Sequence, residues 1–231
     1  MTISVVIPAY NEEKFLPRTI DSLWKLDRKP DEIIVIDGKS TDGTAKVAKG
    51  KNAIVETVEH RGIGYARQIG LEKAKGDIVA FTDADTEVPY DWLSKIEKSL
   101  LKPNVSCVYG IYRVPDGPLA YRVFINFIQP TLNLILSWFG IPMAPGQNIA
   151  FWKEKAMQVG GFPKNFKIAE DIEIARRLKT VGKVVFNKNL VVISSGRRGN
   201  EGIGIIPRYI KANYYYLLQH RADVVGFPDI R

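Results

Sequence analysis

The stretch "GDIVAFTDADTE", Gly76 to Glu87, decides how the rest of the chain is read. Its first half is a short apolar, β-branched run behind a glycine, the pattern of a strand buried on both faces. It leads straight into three acids at alternate positions, Asp83, Asp85 and Glu87. In an extended segment, residues two apart point the same way, with about 6.6 Å between successive pairs. Acids gathered at the end of a buried strand repel one another unless a cation joins them. Mg2+ or Mn2+ suits the place, because it takes one or two carboxylates together with substrate phosphates. The plainer reading is that Asp83 and Asp85 cap the following turn and helix. A D-x-D by itself does not separate the two.

Working outward, the same kind of strand recurs. "ISVVIP" (3–8), "EIIVID" (32–37) and "AIVETVE" (53–59) read as further strands. Helical patterns lie between them, at 12–26, 40–50 and 62–76, and another follows at 90–101. Apolar strands alternating with helices predict an α/β fold, a Rossmann-like, mostly parallel sheet covered on both faces. Ligands of such sheets bind at the carboxyl ends of the strands. "PAYNEE", "DGKSTDG" and "DADTE" all fall at those ends. The second half is less regular, with a strand at 106–114, a strand turning into a helix over 146–162, a helix at 169–182, and two strands, "KVVF" and "LVVISS". With no linker or repeat in sight, one domain over 1–231 is expected, its first 115 residues forming one half and 116–231 the other.

The totals bound the partners. The chain has 231 residues, and 45% of them are hydrophobic, enough to bury a sizeable core. Thirty-three Lys and Arg against 25 Asp and Glu give a net charge of +8, which suits an anionic partner, although a basic solvated surface accounts for it equally well. One cysteine, Cys107, excludes an internal disulfide and fits a core position. The first residues lack the basic region and cleavage site of a signal peptide, so a cytoplasmic location is expected.

The segment "LAYRVFINFIQPTLNLILSWF" (119–139) is long and apolar enough to suggest a membrane span. Arg122, Asn126, Gln129, Asn133 and Ser137 interrupt it at helical spacing, and they argue against spanning. Pro130 is expected to kink or split the helix. Two placements remain: a helix in the core with its polar stripe in water, or a helix whose apolar face, with Phe124, Phe127, Trp138 and Phe139, lies in a membrane interface. A last helix, 205–221, is expected to turn Ile210, Tyr214, Leu217 and Leu218 to the core and Arg208, Lys211 and Arg221 outward.

In order along the chain, "VVIPAYNEE", "EIIVIDGKSTDGT", "GYARQIGLEKAKGDIVAFTDADT", "GQNIAFWKEKAMQVGGF" and "AEDIEIARRL" together resemble the inverting glycosyltransferases of family 2, near the dolichyl-phosphate mannose and glucose synthase branch. The likeness covers roughly residues 3–187 and implies the GT-A fold, with a nucleotide-sugar half and an acceptor half. It implies that Pro8, Ala9, Tyr10 and Glu12 wrap the nucleotide, that Asp37 meets the base, and that Gly62 and Arg67 line the donor site. Asp83, with Ala84 beside it, would meet the ribose or the metal. Asp85 would bind Mn2+ or Mg2+ bridging the diphosphate of a nucleoside-diphosphate sugar, and Glu87 would reach the same metal. Asp171 would be the catalytic base and Glu170 its partner. Apart from the resemblance, acids at 170–171 also suit a helix N-terminus.

Two positions depart from the family pattern and could tune donor choice: Lys39, where a small residue is usual, and Gln68, where Asn is common. The Q-x-x-R-W signature of processive synthases is absent, which favours transfer of a single sugar. "SSGRRGNEG" (194–202) offers Arg197 and Arg198 either to an acceptor phosphate or merely to solvent. A polyprenyl or dolichyl phosphate, or a lipid-linked glycan, at the inner membrane face would give those arginines and the 119–139 segment one shared purpose. A soluble or cell-surface polysaccharide acceptor, or a non-catalytic sugar-nucleotide sensor, remain as alternatives. Nucleic acid is not expected, since no recognised module is present.

Overall fold

The computed structural model describes residues 1–59, 62–163, 166, 168–201 and, singly, Pro207, Lys211 and Tyr214. The first four strands are β1 (Ile3–Ala9), β2 (Glu32–Asp37), β3 (Ile54–Thr57) and β4 (Ile78–Phe81). They pair in parallel, β1 between β2 and β4, with β3 outside β2. Parallel neighbours need long crossovers, and α1 (Leu16–Trp24), α2 (Thr44–Gly50) and α3 (Ile63–Lys73) supply them.

The chain continues through β5 (Thr86–Glu87), α4 (Trp92–Leu100), β6 (Val105–Arg113), α5 (Leu119–Val123) and α6 (Gln129–Trp138). It closes the described core with β7 (Ile149–Trp152), α7 (Lys153–Gln158), α8 (Glu170–Leu178) and β8 (Lys183–Ser194). All eight strands form one sheet, in the order β3-β2-β1-β4-β7-β6-β8-β5. β7 runs antiparallel to both β4 and β6, β6 pairs in parallel with β8, and β5 is antiparallel to β8. The parallel half and the mixed half are therefore one continuous sheet.

Alternation along the strands builds a core on each face. Ile3, Val5 and Ile7 of β1 and Ile78 and Ala80 of β4 meet Leu16, Ile20 and Leu23 of α1 and Trp92, Leu93 and Ile96 of α4. Val6, Val79 and Phe81 turn the other way, onto Ala66 and Leu71 of α3 and Ile174, Ala175 and Leu178 of α8. Each such aliphatic side chain contributes about 1.5–3 kcal/mol by leaving water.

Two local expectations are corrected. Residues 183–194 form one strand where two were expected. Its pairing with β6 jumps between Tyr109↔Phe186 and Ile111↔Val191, so Asn187–Asn189 are passed over as an irregularity and the strand resumes. The 119–138 helix is inverted relative to a core helix with a wet polar stripe. Gln129 and Asn133 are buried, whereas Leu119, Phe127, Ile128, Trp138 and Phe139 are exposed. The amides explain the inversion. Asn126 Oδ1 accepts the Val114 N–H at 2.9 Å and its Nδ2 donates to the Val114 carbonyl at 3.0 Å, while Asn133 Nδ2 donates to the Met143 carbonyl at 3.4 Å. The stripe thus satisfies backbone that the sheet leaves open.

Pro130 does not split this helix. A π-helical turn, Phe124–Ile128, precedes it, with the Gln129 N–H donating to the Phe124 carbonyl. The ladder is already displaced where proline lacks its N–H. Most of the expected 205–221 helix lies outside the described residues; of its described positions, Tyr214 is exposed rather than turned to a core.

Candidate active site

The loops after β1, β2 and β4 form a polar rim, and the D-x-D is a turn on it. The Thr86 N–H donates to the Asp83 carbonyl at 3.2 Å, closing the chain over Ala84 and Asp85. Thr19 of α1 pins that turn, its buried hydroxyl donating to the Ala84 carbonyl at 2.8 Å. The turn breaks the extended geometry that would have aligned all three acids. Asp83 and Asp85 stay in the site, while Glu87 is exposed on β5 opposite Ile193. Among the described residues, no three Asp, Glu, His or Cys side chains gather into an all-protein metal cage.

Arg67 organises the other side. It projects from α3 and is 2% exposed. Its Nη2 meets Asp83 Oδ1 at 2.8 Å, and its Nη1 is paired with Glu170 Oε1 at the start of α8. One guanidinium therefore ties the D-x-D turn to the acid pair, though the residues are far apart in sequence. Gly146 makes this possible: a Cβ there would lie 2.2 Å from the guanidinium. Among the described residues, Arg67 Nε and Thr82 Oγ1 are buried beside the turn with no hydrogen-bond partner.

Asp171 is half-buried and held by backbone. Its Oδ2 accepts the Gly146 N–H at 2.7 Å and its Oδ1 the Ile172 N–H at 2.8 Å. Ala169, the residue before the acid pair, has φ of 60°, a left-handed conformation that costs a non-glycine residue about 1–2 kcal/mol. Burial, then the neighbouring Asp171 charge, push the Glu170 carboxyl up to about 7 against the pull of Arg67. Burial also raises Asp171, again against Arg67. Three carboxylates around one guanidinium favour one shared proton, so Glu170 and Asp171 titrate as a pair.

On the opposite side of the D-x-D turn, Arg197 bridges two acids. Its Nη1 and Nη2 bond Glu12 Oε2 and Oε1 at 3.0 and 2.5 Å, and Nη2 lies 3.0 Å from Asp85 Oδ2. The guanidinium also stacks over Phe15, 4.7 Å from the ring centroid. Burial nonetheless raises the Asp85 carboxyl to about 6, with Arg197 pulling it back down. Arg197 thus stands beside the turn, engaged with carboxylates, and Arg198 follows it in the same short 3-10 turn.

The remaining candidates fall as follows. Pro8 and Ala9 are buried at the end of β1, and Tyr10 follows half-buried. Glu12 is buried and spends its carboxylate on Arg197, while its N–H donates to Thr44 Oγ1 at 2.7 Å. Asp37 is buried and caps its own loop through Ser40. Gly62 has φ of 93° and starts α3. Lys39 has φ of 63°, which explains why a small residue suits that position, and its amine pairs with Glu59 on the surface. Gln68 is structural: its Oε1 accepts the Phe162 N–H at 2.7 Å and its Nε2 donates to Glu72. Sequence reasoning missed the Gly146 N–H as a partner of Asp171. It also missed Asn148, whose buried amide joins Trp92, Ile111 and Leu190. The only signal for either was the "GQN" lying behind a proline.

This fold, with its turn and acid pair, is of the GT-A type. The chain belongs to glycosyl transferase family 2, whose model matches residues 4–162. A mannosyltransferase from Pyrobaculum calidifontis, solved with GDP-mannose and Mn2+, superposes with a TM-score of 0.74 at 24% identity, over 95% of this chain and 64% of that one. Glucosyl-3-phosphoglycerate synthase from Mycobacterium tuberculosis, solved with Mn2+, UDP and its product, gives 0.68 at 26% identity, over 99% of this chain and 81% of that one. Human dolichyl-phosphate β-glucosyltransferase is 35% identical over 114 residues, 42% of this chain and 35% of that protein. The chain spans less than two thirds of the length of the curated relatives it matches, 62% in one case and 16% in another.

Proposed function

We propose that the chain is a metal-dependent, inverting glycosyltransferase that moves one sugar from a nucleoside-diphosphate sugar to a phosphate-bearing lipid. The observation that carries this reading is the Arg67 bridge, which sets a D-x-D acid and the α8 acid pair around one group. Donor and acceptor chemistry would then meet across Arg67.

The residues fit a divalent cation. Asp85 and Asp83 offer hard oxygen donors, and the Asp85 carboxylate is partly desolvated and raised, so a cation would stabilise it. Asp85, with Asp83, would hold it. When bound, the ion supplies Lewis-acid stabilisation of the departing diphosphate. Asp171, oriented by two backbone N–H groups, would take the acceptor's proton. Direct attack with a single base inverts the anomeric carbon. Arg67 fixes Asp83 and Glu170, and Glu170 holds a proton beside the base.

Support for a lipid phosphate comes from the outward apolar face of the 119–138 helix and from the dolichyl-phosphate enzyme among the relatives. The helix is long and apolar enough to cross a membrane, and its inward amides favour lying along the surface instead. A second reading, a small soluble phosphate-bearing acceptor, draws on the phosphoglycerate enzyme. A thermal-shift panel of UDP- and GDP-sugars with and without Mn2+ tests the donor side. A donor that binds raises the melting temperature by mass action, and a shift that ignores Mn2+ refutes the metal role of Asp85.

A further inference from the structure

The pairing of Arg197 with Asp85 has a chemical cost that the site must resolve. A divalent cation on Asp85 sits about 2.0–2.2 Å from a carboxylate oxygen, and Arg197 Nη2 already lies 3.0 Å from Asp85 Oδ2. A divalent ion on either oxygen of this carboxylate would stand close to the guanidinium, and the two like charges repel. Among the described residues, Asp85 also takes a long contact from Ser194 Oγ at 3.4 Å. The backbone leading into Arg197 is fastened at two points: the Ser195 N–H donates to the Asp85 carbonyl at 3.1 Å, and the Gly196 N–H to Asp116 Oδ1 at 2.7 Å. Arg197 is thus delivered to the carboxylate by a fixed strand end.

The hold on Glu12 is different in kind. It is a two-pronged pair with a carboxylate 4% exposed, and Phe15 backs the guanidinium. Arg197 can therefore give up Asp85 without letting go of Glu12. We propose that Arg197 is a latch on the cation site: it competes with the divalent ion for Asp85 until an incoming diphosphate offers the guanidinium a replacement anion. Cation and nucleotide then bind cooperatively, each raising the affinity of the other by the same factor. Free metal is held weakly, and the loaded site forms only with its nucleotide. This rests on the divalent-cation reading above.

Mn2+ titration of the full chain, followed by EPR with and without UDP or GDP, tests the latch. In Arg197→Met the free chain is expected to bind Mn2+ roughly tenfold more tightly than wild type, and the gain from UDP or GDP is expected to shrink. Because Arg197→Met leaves Glu12 buried without its cation, Arg197→Met/Glu12→Gln is measured beside it and is expected to behave alike. If wild type binds Mn2+ with UDP or GDP but both variants bind free Mn2+ no better than wild type, the latch is wrong and the cation reading stands. If no form binds Mn2+ under any condition, both are overturned.

Discussion

Arg67 and Glu170 form an ion pair in which both side chains are almost wholly withdrawn from water, at 3% and 5% exposure. The same guanidinium holds Asp83, so its loss strands carboxylates on two elements at once. Breaking a buried pair from one side costs about 3–5 kcal/mol. Arg67→Gln is expected to lower the urea unfolding free energy by that order. Adding Glu170→Gln should recover part of it, a coupling that a double-mutant cycle reads directly.

The same cluster sets a pH dependence. Glu170 has an ordinary value of 4.5 and stands near 7 in the fold, and Asp85 moves from 3.8 to about 6. An acid raised on folding binds its proton more tightly in the native state. Stability therefore falls as pH rises from about 4 to about 7 and stays at the lower level above. Glu170→Gln is expected to flatten the upper part of that decline in thermal melts from pH 4 to 8. Glu170 holds its proton while Asp171 ionises, so a neutral Gln in its place should leave the acid limb of kcat/KM nearly where it is.

Asp171→Asn separates an enzyme from a sugar-nucleotide sensor. The amide retains the shape and can still accept one backbone N–H, but it cannot take a proton. Turnover is expected to fall by a factor of about 10² or more, with nucleotide-sugar affinity by calorimetry within about threefold of wild type. Loss of donor binding would mark Asp171 as a structural cap of α8.

Trp138 and Phe139 are 74% and 76% exposed at the end of the apolar face. Trp138→Glu and Phe127→Glu should leave stability within about 0.5 kcal/mol, since neither side chain packs in the core. Flotation on vesicles rich in anionic lipid is expected to drop sharply for both. Wild-type protein that stays with the soluble fraction, yet glycosylates a soluble acceptor fully, would remove the lipid-acceptor reading.

Lys39 gives a stability test that also probes donor choice. Its left-handed φ is costly for a residue with a Cβ, and its ion pair with Glu59 is exposed and worth little. Lys39→Gly is expected to stabilise the fold by up to about 1 kcal/mol, strain relief being offset by the extra freedom of glycine when unfolded. Unchanged nucleotide-sugar preference in this variant would rule out donor selection by Lys39.

The alternating strands and helices of the first half were legible because each element carries its own period and its own breaker. The D-x-D could be found but its shape could not. Thr19, 65 positions from Ala84, fixes the turn that takes Glu87 away. The 119–138 stripe was visible at its correct spacing, but which way it faced depended on Val114 and Met143, whose carbonyls need the amides. Arg197 stands out by its glycine-rich setting, which leaves an acceptor phosphate and plain solvent equally open as its partner. Its engagement with Glu12 joins residues 185 apart, a distance that no local pattern encodes.

The position of β7 has a consequence for how the chain must be made. β4 and β6 are not paired with each other; the four residues of β7 lie between them in two antiparallel ladders. Until those residues emerge from the ribosome, β4 has one edge unpaired and β6, whose other neighbour β8 is later still, has both, and such edges seed aggregation. A piece cut at residue 115 would keep those unpaired edges, so residues 1–115 are not expected to fold as a separable unit. β7 closely follows Gly146, whose N–H meets Asp171, so the strand that joins the two parts of the sheet is made together with part of the site, and β8 and Arg197 complete both afterwards.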